Sequence, residues 1–196
     1  MKKTTLLLAL MLSWTAAQAD TETYTIDNSH SFANWTIRHV ASKAAGTFSD
    51  ITGILNIDRE HLDKSSVEAR INVLSVNSSH AKRDAHIKKE EYLDAGRFGE
   101  MHFTSSKIVA TSPTEGILTG TLTLHGVSKV ISFPFKVLGF GTDPWGGYRT
   151  GIEAHTSLKA SDYGFTWPLK PNAPVGDDIE ITLLIEGVKK TADLKP

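Results

Sequence analysis

Val67-Glu68-Ala69-Arg70-Ile71-Asn72-Val73 sets small and apolar residues against polar ones at a period of two. Successive side chains of a β-strand point to opposite faces, so this stretch reads as a strand with one face inward and one in solvent. The same pattern recurs on both sides of it. Leu118-Thr119-Gly120-Thr121-Leu122-Thr123-Leu124 carries its threonines on one face, and Ile179-Glu180-Ile181-Thr182-Leu183-Leu184-Ile185-Glu186 alternates near the C-terminus. Ala33, Trp35, Ile37 and His39 share a parity against Asn34, Thr36 and Arg38. Residues 101–109, 130–140 and 150–160 read as further strands. So do residues 48–57, where Gly53 marks a bulge or bend. His125-Gly126-Val127-Ser128 reads as a tight hairpin turn, Asp143-Pro144-Trp145-Gly146-Gly147 as a turn cluster, and residues 168–178, with three prolines and a glycine, as another. About eight strands joined by short turns favour an antiparallel barrel or sandwich over βαβ units.

One segment breaks the alternation. Residues 79–93 are charged, rich in helix formers and free of Gly and Pro. Ser79 suits an N-cap, and Asp84 and Lys88 suit an i,i+4 pair. A short helix is expected there, lying over one end of a barrel.

The chain opens with Met1-Lys2-Lys3, an apolar core over residues 4–15 and Ala17-Gln18-Ala19. Positive start, short apolar run and small-x-small site together read as a cleaved secretory signal over residues 1–19, leaving Asp20 first. The remainder, residues 20–196, is expected to form one domain with a sizeable core. Its last residues, 191–196, read as a frayed tail. Losing Lys2 and Lys3 shifts the formal net charge from −1 to −3, which offers no basic field for nucleic acid. No later run is apolar for long enough to span a bilayer. Cysteine is absent, which excludes a disulfide framework, a thiol nucleophile and an iron–sulfur cluster. An exported chain without cysteine fits the periplasm.

Motifs of catalysis are missing. There is no G-x-S-x-G, no phosphate-binding glycine loop and no H-E-x-x-H. The eight histidines show no metal-ligand spacing, and no metal or cofactor is expected. Arg83-Asp84-Ala85-His86 is the densest polar cluster. It reads either as a headgroup-binding or acid–base group, or as a helix surface with local pairs. The aromatics Trp35, Phe48, Tyr92, Phe98, Phe103, Phe165 and Trp167 lie mainly on apolar parity or beside the helix and turns. An eight-stranded barrel can be filled with side chains or can hold one small ligand, so core packing and ligand lining both remain open for them.

In order along the chain stand His30-Ser31, Gly46-Thr47-Phe48, Arg83-Asp84-Ala85-His86-Ile87, Phe103-Thr104-Ser105, Leu122-Thr123-Leu124-His125-Gly126-Val127, Asp162-Tyr163-Gly164 and Val175-Gly176-Asp177. This series resembles the YceI family of periplasmic, lipocalin-like, polyisoprenoid-binding proteins. The resemblance implies an all-β fold: an extended eight-stranded antiparallel barrel with a short helical segment at one end and an elongated apolar tunnel. It implies binding of an isoprenoid or other long-chain amphiphilic lipid, including quinone-type molecules, without an established enzyme activity. Carried onto this sequence, the resemblance places Trp35, Ile37 and His39 facing inward on the first barrel strand, Arg83, Asp84 and His86 at the barrel end and Phe103 on the following strand. Together with the inward parity and the aromatics, the expected ligand-binding residues are Trp35, Ile37, His39, Phe48, Ile71, Val73, Arg83, His86, Tyr92, Phe98, Phe103, Leu122, Leu124, Phe165 and Trp167. The chain departs from the family at Phe98-Gly99-Glu100-Met101, where a hydrophobic-proline step is usual, at Trp35, where phenylalanine is, and at Gly46-Thr47-Phe48, which stands for a glycine-arginine-phenylalanine type of sequence. A homodimer is compatible with the sequence. Two other readings stay open beside a lipid carrier: an enzyme or stress-response factor acting on a lipid, with His39, Asp84 or His86 moving protons, and a structural barrel with a filled interior.

Overall fold

The alternation at residues 67–73 is realised as a strand that ends one residue early, at Asn72. The computed structural model describes residues 21–190, so the signal segment, Asp20 and the tail at 191–196 lie outside the described residues. In chain order the strands are β1 (Glu22–Ile26), β2 (Phe32–His39), β3 (Ser42–Phe48), β4 (Ile51–Ile57), β5 (Ser66–Asn72) and β6 (Val76–Asn77). After helix α1 (Ala81–Ile87) come β7 (Glu100–Ala110), β8 (Glu115–Leu124), β9 (Val127–Thr142), β10 (Tyr148–Lys159) and β11 (Val175–Lys189).

β1, β4, β5, β7, β8, β9, β10 and β11 are hydrogen-bonded in that order, and β1 pairs back onto β11. The eight strands therefore close an antiparallel barrel. β2, β3 and β6 continue the wall at one end, where β2 takes over from β1 as the partner of β11. β1 and β2 are thus two arms of one bent strand. At the bend a 3₁₀ turn over Asn28–His30 leaves the ladder. Ser31 is fully buried there. Its Oγ accepts from Glu186 N–H at 3.0 Å and donates to Glu186 O at 3.3 Å, so it partners the N–H while Glu186 O also accepts from Asp27 N–H at 2.8 Å. This gives His30-Ser31 a structural reason.

Residues 48–57 are not one strand. The wall bends at Ser49-Asp50, between β3 and β4, and Gly53 sits in unbroken register opposite Ala69. Gly53 answers a close approach: a Cβ there would lie 2.1 Å from Glu68 O, with φ at +154°. The β8–β9 turn is narrower than expected, because Leu124 pairs with Val127 across His125-Gly126 alone. Both turn residues take positive φ, 52° and 74°, as the twist of a two-residue hairpin requires. Of the turn cluster at 168–178, the last residues already belong to β11.

α1 is also shorter than the expected segment and begins at Ala81. Its N-cap is His80, whose Nδ1 accepts from Arg83 N–H at 3.3 Å, while Ser79 takes a φ of 61°. Beyond Ile87 no apolar residue follows at three- or four-residue spacing, because Glu90 and Glu91 occupy those positions. The chain therefore leaves the helix and lays Tyr92 and Leu93 on the core through turns.

Candidate functional site

Inside the ring the two ends differ. Tyr24, Ile51 and Leu55 are between 0% and 2% exposed and fill the space next to the β1–β4 wall. Elsewhere the inward parity is only half-buried: Trp35, Ile37, Ala69, Ile71, Phe135, Ile152, Ile179, Leu183 and Ile185 all keep accessible surface while pointing inward. Close-packed interiors leave few voids larger than a water. These side chains stay accessible because they face a cavity of about 430 Å³, within the usual range for ligand sites of about 300–1,000 Å³.

The wall is aliphatic and aromatic along most of its length. Polar groups gather at its ends. Asn56, Ser65 and Ser66 line one, while His39, Arg83 and His86, all exposed, line the other beside α1. Among the described residues, no Asp or Glu lines the cavity. The interior thus offers dispersion contacts and apolar burial and no carboxylate for proton transfer.

Thirteen of the residues singled out from the sequence line this cavity: Trp35, Ile37, His39, Phe48, Ile71, Arg83, His86, Tyr92, Phe103, Leu122, Leu124, Phe165 and Trp167. Val73 and Phe98 do not. Val73 starts a 3₁₀ turn after β5, which rotates it out of strand parity into the core beside the cavity. Phe98 packs outside the lining, its ring 4.3 Å from that of His125 and covering Gly126. Val67, Leu118, Phe133, Phe135, Ile152, Ile179, Ile181, Leu183 and Ile185 line the cavity without having been singled out. Their signal was present, since Ile179, Ile181, Leu183 and Ile185 share one parity.

Rings cap the α1 end. His86 meets Tyr92 edge-on at 4.9 Å, Tyr92 lies 5.4 Å from Trp167, Trp167 4.5 Å from Phe165, and Phe165 4.4 Å from His125. With Phe98 beyond His125, six rings cross from the α1 segment to the β8–β9 turn. Trp167 Nε1–H donates to Gly176 O at 3.1 Å, which leaves its apolar face to the interior. Trp35 lies on Gly46, where a Cβ would come within 2.4 Å of Cζ2. The indole explains the glycine of Gly46-Thr47-Phe48.

The polar cluster of α1 is built around Ser78 rather than around an i,i+4 pair. Asp84 accepts from Ser78 N–H at 2.8 Å and from Ser78 Oγ–H, and these bonds hold its carboxyl below the ordinary carboxylate range. Arg83 Nε donates to Ser78 Oγ at 2.7 Å, and its Nη2 donates to Ser78 O. The guanidinium is therefore fixed at the cavity mouth. His86 pairs with Glu91 at 2.9 Å. His39, Asp84 and His86 are not joined to one another by a hydrogen bond among the described residues.

A second polar cluster lies on the outer wall. Asp27, His30 and Glu186 bring their ligand atoms within 4.8 Å of one another. Arg149 occupies the middle of this group: it donates to Asp27 Oδ2 at 2.6 Å, to Asp143 Oδ2 at 2.6 Å and to Glu186. A guanidinium in that position satisfies the carboxylates that a cation would need. The arrangement is an ion-pair hub centred on Arg149.

The sequence model of the YceI-like domain family matches residues 24–187, nearly all of the barrel. The protein YceI of Salmonella newport (strain SL254) is 36% identical over 182 residues, spanning 91% of this chain and 93% of that one. Among solved structures, BcnA of Burkholderia cenocepacia superposes with a TM-score of 0.74 at 18% identity, covering 82% of this chain and 98% of that chain. A polyisoprenoid binding domain of Saccharophagus degradans, implicated in plant cell wall breakdown, superposes with a TM-score of 0.65 at 15% identity, covering 85% of this chain and 98% of that chain. At such identities the two structures establish the shared fold.

Proposed function

We propose, from the premise that this chain belongs to the YceI-like domain family, that it binds the long apolar chain of an isoprenoid or similar amphiphilic lipid inside the barrel and carries it through an aqueous compartment. The observation that carries this reading is the half-accessible inward parity around the 430 Å³ cavity. Each CH₂-sized group transferred into such a wall gains roughly 0.8 kcal/mol before the costs of ordering. A chain of isoprene units can be held by that sum alone, without a metal, a cofactor or a covalent bond. The thirteen lining residues named above are assigned as ligand contacts, with Arg83, His39 and His86 at the polar end. That a barrel of the same fold is named a polyisoprenoid binding domain agrees with this choice of ligand. Residues 20–196 are assigned to one binding domain, and the signal-like residues 1–19 to export into the periplasm.

The test is a mass spectrum of lipids extracted from protein isolated from cells. A stoichiometric prenyl chain or comparable amphiphile is expected. Protein that carries no lipid, with an interior that takes up no long-chain amphiphile on titration, would overturn the reading.

A further inference from the structure

Two side chains at the α1 end of the barrel point away from the core although both are apolar. Val40 is 62% exposed and Leu169 is 70% exposed. Val40 sits in the two-residue turn between β2 and β3, with φ at 52°. Such turns place glycine or asparagine at positive φ, and a β-branched residue there is a marked outlier. Backbone outliers of this kind concentrate where function holds them. Leu169 ends a 3₁₀ turn that starts at Trp167, a residue of the cavity wall.

The two loops are tied together at the rim. Val40 N–H donates to Pro174 O at 2.6 Å, and Arg38 Nη2 donates to Ala173 O at 3.1 Å. Pro174 itself lines the cavity. On the same loops Arg38 and Lys170 are exposed, as are Lys82 and Lys89 on the α1 segment that lines the cavity mouth. Among the neighbouring acids, Glu180 pairs with Lys43 and Glu91 with His86, while Asp84 keeps its charge on neutral Ser78 and Glu90 is exposed next to Lys89. The rim therefore offers apolar tips with cations on the same loops, Arg38 near Val40 and Lys170 next to Leu169. The opposite end carries an exposed Trp145, but beside it stands the Arg149 hub, where three carboxylates share one guanidinium and leave negative charge.

We propose that this rim docks on a bilayer surface bearing anionic headgroups. Val40 and Leu169 enter the acyl boundary, and Arg38, Lys89 and Lys170 meet the phosphates. Apolar insertion plus attraction to anionic lipid is the common basis of interfacial binding. Docked this way, the cavity mouth faces the membrane, and a lipid tail passes between the two without crossing water. The inference rests on the reading that the cavity holds a lipid.

The experiment is flotation of the purified protein with vesicles of phosphatidylcholine alone, and of phosphatidylcholine mixed two to one with phosphatidylglycerol. Binding to the mixed vesicles is expected, weakening as salt is raised. Leu169→Ser should lower partitioning about tenfold with an unchanged melting temperature. Val40→Gly should also weaken binding while raising the melting temperature, because it releases the positive-φ valine. Trp145→Ser, at the far end, should leave binding intact. Equal binding of wild type and both rim variants overturns the proposal. So does dependence on Trp145, or a rim that only joins two copies of the chain in sedimentation. Lipid content measured on the same samples separates the two claims. Protein that carries lipid but ignores vesicles refutes docking alone, whereas protein without lipid refutes the cavity reading.

Discussion

Arg149 shows how a single residue organises its surroundings. Its guanidinium joins Asp143, Asp27 and Glu186, which come from a turn, the end of β1 and β11. Hydrogen bonds from Ser29, then His30 and Arg149, hold the Asp27 carboxyl well below its ordinary range. Arg149 does the same for Asp143. A carboxyl depressed in the folded state stabilises it above the unfolded value, near 4, and loses that contribution as pH falls below it. Acid should therefore destabilise the barrel progressively below about pH 4. Arg149→Met should melt several degrees lower than wild type at neutral pH, and the two should converge on acidification, as followed by circular dichroism melts across pH. A constant gap between them at all pH values would show that the hub acts through packing. Nothing in the sequence announces the hub. Its members lie at residues 27, 143, 149 and 186, and Asp27 reaches the others because β1 closes onto β11.

At the scale of elements, period-two patterning made most strands readable, since a wall with one dry face and one wet face must alternate. The breaks were less readable. The bend at Ser49-Asp50 and the turn that rotates Val73 depend on how neighbouring strands run, which no local pattern records. The helix was overextended because charge and the absence of glycine mark helix formers, whereas the stop at Ile87 follows from the missing apolar stripe. Inward parity supports a direct prediction about the wall. Ala69 lies on β5, faces the cavity and is only half-buried. Ala69→Phe should therefore fit with a loss under about 1 kcal/mol, where overpacking a solid core typically costs about 1–3 kcal/mol. The same variant should lose bound lipid, measured by extraction. Thr36→Leu, on the outward parity of β2, should change neither. Strong destabilisation of the Ala69 variant would mean that the interior is already full.

For the whole molecule, the strand pattern left barrel and sandwich both open, the family resemblance pointed to an eight-stranded barrel, and closure of β1 onto β11 supplies the ring. Whether the interior was hollow was not readable, because an inward isoleucine looks the same beside another side chain and beside a void. The assignment of residues 1–19 to export is tested on the intact molecule: protein from the periplasm should have a mass that begins at Asp20. A mass that retains Lys2 and Lys3 would end that assignment. The seam has a further consequence, which concerns time. Tyr24 pairs with Lys189, so the first strand of the barrel waits for the last to be made. Synthesis proceeds from the N-terminus, and contacts so distant in sequence form slowly. Until β11 arrives, β1 and β10 are bare sheet edges of the kind that invite pairing with other chains. The barrel is thus most vulnerable while it is being born, and a nascent chain of this design has reason to be kept extended, or accompanied, until its final strand is free.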